Sequence, residues 1–147
     1  MLITPHAIAG AAIGTLAASP LLVVPIAVGS HFILDSIPHW QETLAPYAPT
    51  KKTYIRIPID IILAATLVWV AVQWQPNRTA PIVVGVVLAN APDLDVITIL
   101  VPRLRQGLFE KYWDWHCKIQ RETASMWGVA TQLIVVFVGL FIVYVDR

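Results

Sequence analysis

Four histidines (His6, His31, His39 and His116) and four aspartates lying in apolar segments (Asp35, Asp60, Asp93 and Asp95) are the residues equipped for chemistry. His31 and Asp35 are four apart, so on a helix they share one face. His39 follows one turn later, after Pro38, where it can swing back towards them. Imidazole with carboxylate is the donor set of a catalytic zinc or a similar divalent ion. Asp93 and Asp95 lie just past Pro92 in an apolar run. Two carboxylates two residues apart repel unless a cation or a proton stands between them. Asn90 is placed to hydrogen-bond a ligand or a carboxylate behind one. The single cysteine, Cys117, excludes an internal disulfide and a four-thiolate zinc site, so a metal must be held by His, Asp or Glu.

These groups need elements to carry them, and the composition says where those elements lie. Of 147 residues, 57% are hydrophobic and 13% charged. Soluble domains carry about 25% charged residues, so the balance is that of a membrane protein and excludes disorder. The net charge of +1 exerts no pull on nucleic acid. The length suits one domain, taken as residues 1–147. No charged side chain precedes Asp35, so the first apolar stretch lacks the basic start of a secretory signal and reads as part of the mature protein.

A spanning helix needs about 20 apolar residues. Met126–Val145, Ile57–Trp74 and Pro81–Val101 meet that length, the last interrupted by Asn90-Ala91-Pro92-Asp93-Leu94-Asp95. His6–Ile37 as one helix would run about 48 Å, too long for a hydrocarbon core of about 30 Å. Ser19-Pro20 breaks it into a hairpin of two helices, roughly 5–18 and 20–37, with Thr4-Pro5 as a helix start. Gly10 and Gly14, at G-x-x-x-G spacing, allow close packing. Residues 38–56 form a proline-rich polar loop. Within 102–125, Leu104, Leu108, Tyr112, Trp115 and Ile119 recur at helical spacing, which predicts an interfacial amphipathic helix. The expected fold class is therefore all-α and polytopic, with about five membrane-embedded helices plus that interfacial one.

This topology gathers the chemical residues at one layer of the membrane. Eight of the ten basic residues fall on that same side, which the positive-inside rule makes cytoplasmic. The expected location is a multi-pass one in the inner (plasma) membrane.

His6 near the start, His31-x-x-x-Asp35-x-x-Pro38-His39 and Pro92-Asp93-x-Asp95 resemble small bacterial inner-membrane metal-dependent hydrolases over most of the chain. The H-x-x-x-D element is also similar to part of the zinc site of zinc-dependent phospholipase C and P1-type nucleases. The resemblance implies metal-site roles for His6, His31, Asp35, His39, Asp60, Asp93 and His116, with Asp95 behind a ligand or as a further one. The chain departs from the better-known members after the second motif. Trp115-His116-Cys117-Lys118-Ile119-Gln120 stands there instead of an H-R-G-x-T-H-S-like element.

The leading expectation is metal-assisted hydrolysis of a phosphoester in a lipid or lipid-linked substrate, with zinc as the foremost ion. Asp93, Asp95 or Asp60 would orient or deprotonate water. Lys51, Lys52, Arg103 or Arg105 would hold an anionic head group. Membrane lipids are the expected partners, and nucleic acid is not. The same ligands suit two other classes: a transporter or metal-handling protein, and a non-catalytic scaffold in which they only join helices. Asp60 also has a simpler use, as an i, i+4 partner of Arg56.

Overall fold

The computed structural model describes residues 1–41, 51–96 and 101–147. Residues 42–50 of the expected 38–56 loop, Glu42 among them, and 97–100 of the expected Pro81–Val101 span lie outside them; residues 51–56, expected in that loop, are instead the first turns of a helix. The described residues form six α-helices: α1 (Ile3–Leu16), α2 (Pro20–Asp35), α3 (Lys51–Trp74), α4 (Thr79–Asn90), α5 (Leu108–Ile119) and α6 (Met126–Val145). A 3₁₀ turn, Ala91–Val96, extends α4.

The expectation of about five membrane-embedded helices is corrected here. Among the described residues, three segments are long and apolar enough to cross a membrane: Lys51–Trp74, Pro76–Val96 and Met126–Val145. With 14 and 16 residues, α1 and α2 fall short. At 1.5 Å per residue they reach about 21 and 24 Å, against a core of about 30 Å. The sequence-based count treated every apolar helix as a span. The apolar character of α1 has another cause, because this helix is the centre of the bundle. It touches α2, α3, α4 and α6, and ten of its residues are buried, including Ala7, Ile8, Ala11 and Ala12. A helix that is apolar all round is one buried all round.

Ser19-Pro20 separates α1 from α2, with the Ser19 hydroxyl accepting from the Leu21 N–H at 3.3 Å. Where α1 crosses α4 the backbones touch. A Cβ on Gly10 would lie 2.4 Å from the Gly85 carbonyl oxygen, and one on Gly85 would lie 2.1 Å from that of Gly10. Only glycine at both positions permits this approach.

The start of α1 is capped by a residue of another helix. Asp60 of α3 accepts from the Ile3 N–H at 2.7 Å, the Thr4 N–H at 3.3 Å and the Thr4 hydroxyl at 2.5 Å. Free N–H groups at a helix start favour an anion. The ends of α2 and α5 are joined by backbone bonds: Arg121 N–H to Asp35 O at 2.9 Å and His39 N–H to Arg121 O at 3.0 Å. On α5, Trp113 and His116 face inwards, while Leu108 and Phe109 are exposed. The beginning of α1, the end of α2, the beginning of α3, the end of α4 and α5 thus meet at one level of the molecule.

Candidate metal centre

At that level one donor atom from each of His31, Asp35, Asp93 and His116 lies within 4.8 Å of the others. The Nε2 atoms of His31 and His116 are each 3.1 Å from Asp35 Oδ2 and 3.1 Å from one another. Asp93 Oδ1 is 3.5 Å from His31 Nε2 and 3.9 Å from His116 Nε2.

What lies behind the rings determines which atoms face this cluster. His31 Nδ1 is 2.7 Å from the carbonyl oxygen of Ala89. A carbonyl only accepts, so Nδ1 carries the proton and donates it, and the neutral ring turns a bare Nε2 inwards. That carbonyl is available for a local reason. In a continuous α-helix it would receive the N–H of residue 93, but the chain tightens to 3₁₀ winding after Asn90. Pro92, without an N–H, prevents regular continuation.

His116 has the same arrangement with a carboxylate behind it: Nδ1 donates to Asp95 Oδ2 at 2.8 Å. Carboxylate or carbonyl partners behind metal-binding histidines hold the ring and raise its basicity. The 3₁₀ turn points Asp93 and Asp95 in different directions, one towards His31 and the other to the far side of His116.

The four inward atoms are therefore all acceptors, and their approach needs a shared positive charge. Without a metal a proton supplies it. Burial works against a charged His116, but its bonds to Asp35 and Asp95 and the nearby carboxylates push it up to about 9. Two imidazole nitrogens and two carboxylates, with their outer hydrogen bonds in place, also fit a divalent cation. This donor set and the three long apolar segments make the chain a membrane protein with a His/Asp cluster able to coordinate a divalent metal.

The other sequence candidates lie around this group. His6 Nε2 is 3.1 Å from Asp35 Oδ1, the oxygen turned away from the cluster, and its ring stacks on His31 with centroids 4.1 Å apart. Its Nδ1 is buried with no hydrogen-bond partner among the described residues. Asp35 Oδ1 also accepts from the Met1 ammonium, which donates to Gln41 Oε1 at 3.2 Å. His39 is buried outside the four, its Nδ1 donating to Ile37 O at 2.8 Å and its Nε2 lying 3.3 Å from Gln41 Oε1. Burial first, then the ammonium charge, lowers its pKa. Asp60 is committed to the start of α1, and Asn90 donates to Val86 O at 2.8 Å.

Two supporting groups escaped the sequence reading. The Ala89 carbonyl is backbone, and no residue type signals it. Tyr112, read only as part of an apolar stripe, donates to Pro92 O at 3.1 Å and steadies the turn that carries both acids.

The cluster opens on one side into a cavity of about 290 Å³ lined by Asp93, Asp95, His116, Trp40, Arg56 and Trp113 among others. His31 and Asp35 are fully buried, whereas the Asp93 side chain is 21% exposed. Asp93 is thus the cluster carboxylate that faces the cavity. Compared with protein-family models, curated proteins and solved structures, the chain matches none.

Proposed function

We propose that this chain is a membrane-embedded, metal-dependent hydrolase acting on a phosphoester of a lipid or lipid-linked substrate. The observation that carries the reading is the convergence of His31, Asp35, Asp93 and His116 beside a cavity that Asp93 and His116 line. A catalytic ion needs a position open to water or substrate, and Asp93, the exposed carboxylate of the four, is the ligand that could make room for one beside the cavity.

His31, Asp35, His116 and Asp93 would hold the ion, with zinc favoured by the imidazole and carboxylate donors. When bound, it would supply Lewis acidity and a water of lowered pKa. Asp93, at the cavity edge, meets the attacking water or the substrate. Asp95 acts as a positioning residue, through its bond to His116 Nδ1. Arg56 on the cavity wall attracts an anionic head group. A single domain in the inner membrane, with the site at the cytoplasmic face, agrees with eight of ten basic residues lying where α3 begins or between α4 and α6, on one side of the three long apolar segments.

The test is metal content and phosphodiester hydrolysis of purified protein, wild type against His31→Ala/Asp35→Ala. Bound metal and hydrolysis in the wild type, both lost in the double variant, support the reading. Wild-type protein that binds no metal overturns it.

A further inference from the structure

A second cavity, of about 420 Å³, adjoins the first. The two share Leu2, Trp40, Arg56 and Asp60 in their walls. From that junction the second runs between α3 and α6, past Leu63 and Leu67 on one side and Val129, Leu133 and Val136 on the other. Positions 56, 60, 63 and 67 follow one face of α3, and positions 129, 132, 133 and 136 follow one face of α6. Both helices belong to the membrane-crossing set, so this groove faces hydrocarbon.

The groove changes character along its length. At the metal end stands Arg56, its guanidinium 5.3 Å from the centroid of the Trp40 ring. Trp40 is held there by its N–H donating to Gly128 O at 3.1 Å and by Gln132 donating to its carbonyl at 2.8 Å. Beyond Asp60 the α3 wall is leucine. A charged entrance beside a carboxylate-imidazole cluster, continuing into an apolar channel within the membrane, matches an amphiphile with an anionic head and one hydrocarbon chain. Arg56 to Leu67 is eleven residues, about 16 Å along the helix. With C–C bonds near 1.5 Å, each advancing about 1.25 Å along an extended zigzag, that is the reach of roughly thirteen carbons.

We infer that the α3–α6 groove binds the hydrocarbon chain of a phosphate-headed lipid whose head group lies in the cavity beside the metal cluster. The inference rests on the hydrolytic reading for the reaction at the head, but not for the binding of the chain. Continuity of the two cavities through Trp40 and Arg56 is what ties this groove to the polar site.

The test uses the full chain, metal-loaded, in phosphatidylcholine nanodiscs, with dodecyl phosphate carrying a diazirine on its terminal carbon. After photolysis, adducts are mapped by mass spectrometry. Labelling at Leu67, Leu133 or Val136 at least fivefold above that at Ile62 and Phe137, which lie outside the groove, is the expected result. Leu67→Trp should reduce it about tenfold, and so should Leu133→Trp, so that a folding failure of one leaves the other. Labels spread evenly over Ile62, Phe137 and Phe141, as bulk lipid would give, overturn the inference. Hydrolysis of ethyl and dodecyl p-nitrophenyl phosphate is measured in parallel. Groove labelling without hydrolysis refutes the enzyme reading and leaves the groove standing. Hydrolysis of both esters at equal kcat/KM with even labelling removes the groove and leaves the enzyme.

Discussion

Asp95 and Asp35 grip His116 from opposite sides: Asp95 Oδ2 lies 2.8 Å from Nδ1, and Asp35 Oδ2 lies 3.1 Å from Nε2. The imidazole is thereby fixed in orientation, and without a metal the two carboxylates favour its cationic form, with a proton on each nitrogen. Replacing Asp95 by Ala should weaken metal affinity about 10–100-fold, the usual cost of losing such a partner. Asp95→Asn, which retains an acceptor oxygen, should restore part of it. Equal affinities for wild type and Asp95→Ala, measured by competition with a metal chelator, would contradict this role.

Asp93 and Asp35 should behave as ligands. Asp93→Asn is expected to insert and fold but to lose bound metal and activity, and Asp35→Asn likewise. Glu110→Gln, on the exposed side of α5, should keep both. Metal stoichiometry by atomic absorption decides. A full complement of metal in Asp93→Asn would make this acid a protonated packing group.

Asp60 gives the opposite pattern. Its carboxylate satisfies two backbone N–H groups and the Thr4 hydroxyl at the start of α1. Asp60→Ala should cost about 1–2 kcal/mol of stability, as for a lost helix cap. At saturating metal the stoichiometry should be that of the wild type. Metal loss without destabilisation, read by thermal unfolding in detergent, would return Asp60 to the ligand set.

Close packing of α1 on α4 sets the height of His6 against His31 and of Ala89 against His31. Gly85→Ala would place a methyl 2.1 Å from the Gly10 carbonyl oxygen, so the helices must part. The expected loss is about 1–3 kcal/mol, together with weaker metal binding. Gly29→Ala, with nothing within 4 Å of the new methyl, should be neutral or stabilising by up to about 1 kcal/mol. Equal melting temperatures for the two variants would refute the argument.

In metal-free protein, against the effect of burial, the bonds to Asp35 and Asp95 push His116 from its ordinary 6.5 up to about 9. A raised folded-state pKa stabilises fully below the unfolded value, and that contribution fades as pH rises through the folded one. The His116 contribution should therefore be complete below about pH 6.5 and lost by about pH 9 to 10. His116→Gln should flatten this part of the stability profile measured in a chelator. An unchanged profile would show that the proton resides elsewhere.

From the sequence alone came the chemistry on offer and much of its placement. One cysteine left imidazole and carboxylate as donors. Four-residue spacing put His31 and Asp35 on one face, Ser19-Pro20 broke the first apolar stretch, and Pro92 marked an irregular turn beside two acids. Such features depend on neighbours along the chain, where helix periodicity and the missing proline N–H act directly. Tertiary structure alone decided which groups meet. Asp60 and Asp93 look alike in sequence, each an acid in an apolar run, yet one caps α1 and the other faces His31. His39 follows the H-x-x-x-D element closely but points to Ile37 and Gln41. The number of spans also escaped the sequence, because an apolar helix surrounded by protein has the same composition as one surrounded by lipid. These outcomes follow from the relative heights and rotations of helices distant in sequence. Contacts such as Gly10 on Gly85 set them, and no local pattern encodes which pairs of residues will touch.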